Sequence, residues 1–355
     1  MHREPDQPHS ASASILPSVI ALDAMGGDYG PAEIVPAALA VIERYPDITL
    51  ILVGQRAVLE DQLRQHGGTE SDSLRIHNAS QTVEMHELPS MVLRNKKDSS
   101  MRIAIDLVKE GQASACVSAG NTGALMATAK FVLKMLPGID RPAICATMPG
   151  TKGPTHLLDL GANIDCSSEQ LLQFAVMGTE LVKATNNQPD PSVSLLNIGA
   201  EEIKGNDQVK QAATLLHASP LNYAGFVEGN DIYSGKVDII VCDGFSGNIA
   251  LKASEGVAEF ITHHARAEFK QSLYGKFAAL VSMPVLKAIR RKLDPRRYNG
   301  ASLLGLRGIV IKSHGSADRV SFATAIEEAI IEIRKNVPER ISTELEAVLN
   351  NRGES

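Results

Sequence analysis

Glycines that bare backbone N–H groups, short polar side chains and one lysine are the parts of this sequence that can act on a small anion. They gather in six runs: VIALDAMGGDYG (19–30), ACVSAGNTG (115–123), HLLDLGANIDC (156–166), VSLLNIGAEEIKGN (193–206), VDIIVCDGFSGN (237–248) and GIVIKSHGSAD (308–318). The first holds Asp23, Gly26, Gly27 and Asp28; it looks like a phosphate loop, yet it matches neither GxGxxG nor GxxxxGK(S/T), and a tight turn fits equally well. In the second, Gly120, Asn121 and Thr122 can contact an anion or serve as turn and cap. The third offers Asp159, Asn163 and Asp165, without the His or third carboxylate that a metal site wants nearby, so no metal is expected. The fourth sets Lys204 beside Glu201 and Glu202, a compact charge for phosphate or a surface ion pair. The fifth carries Asp243, Ser246, Gly247 and Asn248 but no G-x-S-x-G elbow and no defensible Ser-His-Asp order. His314 in the sixth can reach a cleft or simply occupy a turn.

Each run leaves an apolar strand and enters a helix. Strand 19–24 leads to a helix starting near Pro31, a favourable first-turn residue, with Ala37, Ala38, Val41 and Ile42 on one face. Strand 48–54, a polar helix at 55–66, a short strand at 75–80 and a helix at 99–111 follow. The alternation runs to about residue 262 and predicts an α/β fold with a mostly parallel, doubly wound sheet. C-terminal strand ends share one edge of a parallel sheet, so the six loops are expected to converge on one crevice. Glycine backbones and helix N-termini there favour a negatively charged ligand. Residues 319–349 repeat apolar side chains at helical spacing, with Pro338 expected to break or kink the run.

Composition narrows the partners. The 355 residues carry a net charge of −6 and only 4% aromatic side chains, which gives no footing for nucleic acid. No run of about 18 apolar residues is present to span a membrane. Residues 1–17 read as a disordered tail, and 18–350 as one α/β domain. Cys116, Cys145 and Cys242 sit in apolar stretches as small hydrophobes, whereas Cys166 falls at a helix start, where a thiolate would be favoured. Segment 263–300 departs from the alternation: Leu273, Phe277, Leu280, Val281 and Val285 share a helical face. Beyond it, six basic residues between 287 and 297, Arg290, Arg291 and Lys292 among them, stand against Asp294 alone. A core or dimer-interface helix fits that pattern, and so does a surface element meeting membrane or an acidic protein.

Taken in order, ALDAMGGDYGP, VSAGNTGALMA, LLDLGANIDC, NIGAEEIKGN, VDIIVCDGFSGN and YNGASLLGLRGIVIKSHGSAD resemble the PlsX family of bacterial acyl-carrier-protein:phosphate acyltransferases, over roughly residues 19–335. The resemblance implies a fold like that of phosphotransacetylase and the isocitrate and isopropylmalate dehydrogenases, and a homodimer without cofactor. It implies acyl transfer from acyl-carrier protein to inorganic phosphate, with the acyl phosphate passing to a membrane glycerol-phosphate acyltransferase. The protein would then be cytoplasmic and peripherally membrane-associated. Catalysis would fall to Lys204 and Asn248, and substrate binding to Asp23, Gly26, Gly27, Asp28, Gly120, Asn121, Thr122, Asp159, Asn163, Glu202, Asp243, Ser246, Gly247 and His314. Membrane or carrier-protein contact would fall to Leu280, Val281, Val285, Arg290, Arg291 and Lys292. The rival readings are a coenzyme A-dependent phosphotransacetylase, an NAD-dependent decarboxylating dehydrogenase and a non-catalytic scaffold.

Overall fold

The polar residues that end each strand are, for the most part, the caps that start the next helix. Asn121, Asn206, Asp243 and Asp318 each accept a backbone N–H three residues on, and Ser167 forms a reciprocal capping box with Gln170. The computed structural model describes residues 18–292 and 294–353, and at 289–292, 295 and 350–353 the backbone alone, so the expected tail at 1–17 lies outside the described residues. The first part of the chain is β1 (Ser18–Asp23), α1 (Pro31–Arg44), β2 (Ile48–Gly54), α2 (Arg56–Gln65), β3 (Leu74–Asn78), α3 (Pro89–Asn95), α4 (Ser100–Lys109), β4 (Ala115–Ser118) and α5 (Thr122–Leu133). Then come β5 (Ala143–Met148), β6 (Thr155–Leu158), α6 (Ser168–Asn186), β7 (Val193–Leu196), α7 (Asp207–His217), β8 (Tyr223–Val227) and β9 (Ile239–Val241). The chain closes with α8 (Gly244–Gln271), α9 (Leu273–Lys292), β10 (Ala301–Leu304), β11 (Ile309–Lys312), α10 (Arg319–Lys335) and α11 (Val337–Gly353).

All these strands join one sheet in the order β3-β2-β1-β4-β11-β10-β5-β6-β9-β7-β8. The first five run parallel, as do the last four, but β11–β10, β10–β5 and β5–β6 are antiparallel. An odd number of reversals inverts the second block. Loops after β1, β4 and β11 therefore leave one edge of the sheet, and those after β6, β9 and β7 leave the other. The expected single row of six loops is corrected to two rows of three.

Helices α3, α4 and α5 cover one face over Ala21, Cys116 and Val310, with Ala250 and Leu251 of α8 on the same core. The opposite face is covered by α1 and α10 over Leu22, Val117 and Ile311, and by α6, α7 and α11 over Leu158, Ile239 and Val241. Segment 263–300 holds the outer part of α8, then α9 and the turn before β10; the two helices lie against each other and leave Val257, Phe260, Ile261, Leu273, Phe277 and Leu280 exposed. The 319–349 run breaks at Asn336, in the left-handed conformation, and Pro338 sits harmlessly in the first turn of α11.

On α10, Glu332 is buried against β10 and Glu328, one turn earlier, is half-buried. Ser302 donates to Glu332, which burial and the nearby Glu328 push up to about 8, while burial pushes Glu328 up to about 7. Carboxyls raised in the folded state bind protons that the unfolded chain has released, so their contribution falls as pH rises from about 4.5 through 8. Glu332→Gln is expected to flatten the decline of Tm between pH 6 and 9; an unchanged slope would show that Glu332 does not titrate in this range.

Candidate active site

The first row is built on three side chains in register. Asp23 of β1 lies beside Ser118 of β4, and Ser118 beside Lys312 of β11. Because the strands are parallel and in register, all three point to the α4–α5 face. The Ser118 hydroxyl donates to Asp23 Oδ2 at 2.6 Å and accepts from Gly120 N at 3.0 Å. The Lys312 ammonium donates to Ala119 O at 3.3 Å and to Ser313 O. Burial raises the Asp23 carboxyl, opposed by Ser100, Ser118, the Met25 N–H and the Lys312 charge; burial pushes Lys312 down to about 8. A Cβ on Gly26 would lie 2.6 Å from Asp23 Oδ2 and 2.8 Å from Gly120 N, so glycine alone lets these loops meet. Asp28 N donates to Gly315 O at 2.8 Å, tying the β1 loop to the β11 loop. Asn121 caps α5 and donates to Met85 O and Glu87 O. Asp23, Gly26 and Gly120 thus form a buried floor, with Asp28, Thr122 and His314 exposed on its rim and Gly27 and Asn121 half-buried.

The second row rests on Asp159, which is fully buried. Its Oδ1 accepts from Ile144 N (2.9 Å) and Ala162 N (3.0 Å), and its Oδ2 from Asn163 N (2.7 Å) and Asn163 Nδ2 (2.9 Å). Asn163, also buried, donates to Pro142 O at 2.7 Å. Both side chains are engaged in shaping the loop. Asp243 accepts from Ser246 N and Ser246 Oγ at the start of α8, and a Cβ on Gly247 would collide with Asp159 O. That close seat sets α8 directly on the β6 loop, where Gly161 faces Asn248 with only 3.5 Å for a Cβ. Asn248 is exposed. So are Lys204 and Glu202 on the β7 loop, where Lys204 pairs with Glu201 at 2.8 Å and is shifted upward by it. Since β6, β9 and β7 are neighbours, Gly161, Asn248 and Lys204 occupy one row.

Helix α8 begins in the second row, packs on β6, and adds Ala250 and Leu251 to the core that also holds Cys116 and Val310. Lys312 is the residue that sequence reading passed over, because a lysine closing the apolar strand GIVIK (308–312) reads as a strand end; its signal was a charge in a stretch otherwise destined for the core. The Cys166 thiol is corrected. Although it precedes a helix, Sγ faces Asn163 O (3.9 Å), and burial with the charge of Asp159 pushes it up to about 12. Among the described residues no three His, Cys, Asp or Glu side chains are grouped to hold a metal, and no helix is long and apolar enough to cross a membrane.

A family model described as "Fatty acid synthesis protein" matches residues 18–340. The chain is 62% identical to a phosphate acyltransferase of Methylococcus capsulatus over 91% of this chain and 96% of that protein, and 59% identical to one of Alkalilimnicola ehrlichii over 93% and 96%. Among solved structures it is similar to a phosphotransacetylase from Streptococcus pyogenes (TM-score 0.61, 18% identity, 89% and 94% of the two chains). It is also similar to the EutD phosphotransacetylase from Staphylococcus aureus (TM-score 0.57, 16% identity, 88% and 94%). Those two likenesses concern the fold.

Since all four cysteines are buried and their thiols are raised, iodoacetamide at pH 7.5 is expected to leave the native protein unlabelled. Fast labelling of Cys166, read by peptide mass spectrometry, would restore it as a reactive group.

Proposed function

The chain belongs to the phosphate acyltransferase family, and on that premise we propose that this acyltransferase takes long-chain acyl groups from acyl-carrier protein and passes them to inorganic phosphate. The observation that carries the reading is an exposed ammonium and an exposed carboxamide, Lys204 and Asn248, on the loops of neighbouring strands β7 and β9. No thiol is available beside them. None is needed, because phosphate is anionic near pH 7 and is itself the nucleophile.

A phosphate oxygen adds to the thioester carbonyl carbon, and the carbonyl electrons move to oxygen. The tetrahedral oxyanion collapses, the C–S bond breaks, and the pantetheine thiolate leaves and takes up, through water, the proton that hydrogen phosphate gives up on forming the acyl phosphate. Lys204 neutralises the incoming phosphate, exchanging Glu201 for it; a solvent-exposed ion pair is weak enough to yield to a dianion. The Asn248 carboxamide donates to the oxyanion, where a fixed donor acts only as charge develops. Of the first-row backbone donors, Gly26, Asp28 and Gly120 are bonded within the loops, and the N–H groups of Gly27, Asn121 and Thr122 serve the remaining phosphate oxygens. The acyl phosphate is the substrate class that a membrane glycerol-phosphate acyltransferase consumes.

The protein acts as a homodimer at the membrane surface, and the α8–α9 hairpin supports both parts of that reading. Its exposed apolar side chains, Leu273 (84%), Phe277 (65%), Leu280 (68%), Val281 (65%) and Val285 (61%), have no cover among the described residues. Lys287 follows them. Arg290, Arg291 and Lys292 continue the basic run, their side chains outside the described residues.

Palmitoyl-carrier protein with phosphate should release free carrier protein and acyl phosphate faster than palmitoyl-coenzyme A does, and Lys204→Ala should lower that rate by about 10²–10³ with Tm unchanged. Equal use of coenzyme A thioester would favour the phosphotransacetylase reading, and a near-normal rate would remove Lys204 from the chemistry. Changing Leu280, Val281 and Val285 to Ser should abolish sedimentation with anionic vesicles while the dimer persists by sedimentation velocity. A monomer that still binds vesicles would make the hairpin an interface only.

A further inference from the structure

We propose that Lys312 and Ser118 are positioning residues that clamp the Ala119–Gly120 peptide from both ends and thereby hold the start of α5 ready for phosphate. The inference rests on the acyl-transfer reading above, which gives phosphate to the N–H groups of Asn121 and Thr122, and it says what fixes them. A trans peptide turns its carbonyl and its N–H in opposite directions, so two separate groups are needed to hold one plane. Here the two are register partners on adjacent parallel strands. Lys312 Nζ donates to Ala119 O at 3.3 Å, and Gly120 N donates to Ser118 Oγ at 3.0 Å. Ser118 is fully buried and Lys312 is 8% exposed.

Each clamp is itself oriented. The single Ser118 proton goes to Asp23 Oδ2 at 2.6 Å, which turns an oxygen lone pair toward Gly120 N. Lys312 also donates to Ser313 O, so one ammonium ties the β4 loop to the β11 loop. Packing alone does not ask for a lysine there. A buried ammonium is costly unless it is hydrogen-bonded, and Val310, on the same face of β11, fills its place with an apolar group. Glycine at 120 makes room beside the clamped peptide, where a Cβ would lie 2.7 Å from Met101 Cε and 3.2 Å from Asp23 Oδ2. Directly beyond, the N–H groups of Asn121 and Thr122 make no hydrogen bond among the described residues, whereas Ala124 N is taken by the Asn121 side chain. Rotation of the clamped plane would carry both free donors away from the ligand.

The test measures phosphate affinity directly, by equilibrium dialysis of inorganic phosphate without acyl donor. Lys312→Met keeps the length of the side chain but not its donors, and Ser118→Ala removes the other hold. Each is expected to weaken phosphate about tenfold, the loss of one hydrogen bond. Because both act on one peptide, the double variant should lose about thirtyfold rather than about a hundredfold. Ser118→Thr, which keeps the hydroxyl, should bind within about threefold of the wild type. In turnover, KM for phosphate should rise while KM for palmitoyl-carrier protein stays within about twofold, a split that a general loss of stability does not produce. Unaltered phosphate affinity in the folded single variants, fully multiplicative losses, or the two KM values rising together would overturn the clamp. If Lys312→Met does not fold, Ser118→Ala against Ser118→Thr decides alone. Should the wild type bind phosphate through the clamp yet transfer no acyl group, the acyl-transfer reading falls and the clamp stands.

Discussion

Three antiparallel pairings in succession, β11–β10, β10–β5 and β5–β6, govern everything functional in this molecule. Were their number even, the strands of both blocks would point the same way and six glycine-bearing loops would line one edge. Because it is odd, no loop of one block can sit beside a loop of the other by strand geometry alone. Helix α8 starts among the loops of the second block, packs on β6 and reaches the core under α3, α4 and α5 through Ala250 and Leu251. The polar residues at its start therefore have two duties, capping the helix and seating it on the β6 loop.

That division explains which parts of the molecule were legible in the sequence. Strands such as 19–24 and 48–54 are apolar runs of the right length, and α1 announces itself through Pro31. The reversal was not legible, because β5, β6 and β10 are four to six residues long and carry the same apolar composition as their parallel neighbours. The site was partly legible. Asn248 and Lys204 are exposed as a ligand-binding role needs, whereas Asp159 and Asn163 spend their polar atoms on the loop itself. A sequence cannot distinguish a carboxylate that waits for a ligand from one already saturated by backbone donors. Lys312 was hidden for a related reason: its environment is set by β4 and β1, nearly 200 and 300 residues earlier in the chain.

The electrostatics of the two rows are complementary in kind. The first row buries Asp23 with Lys312 and keeps Asp28 exposed on its rim. The second buries Asp159 and leaves Lys204, Glu201 and Glu202 at the surface. Buried groups hold neighbouring backbone in place, as Ser118 holds Gly120 N, whereas an exposed pair such as Lys204–Glu201 is weak enough to exchange.

Strand β5 has a mechanical consequence. Residues 143–145 of it are bonded to β10, and residues 145–148 to β6, so the two ladders overlap at Cys145 alone. A plank nailed to one neighbour along its lower half and to the other along its upper half resists stretching well, but it resists twisting only at the shared nail. Bonds from Leu160 N to Ile144 O and from Ile144 N to Asp159 Oδ1 extend the hold by one residue, so the seam shared by the two blocks is a strip two residues long at Ile144 and Cys145.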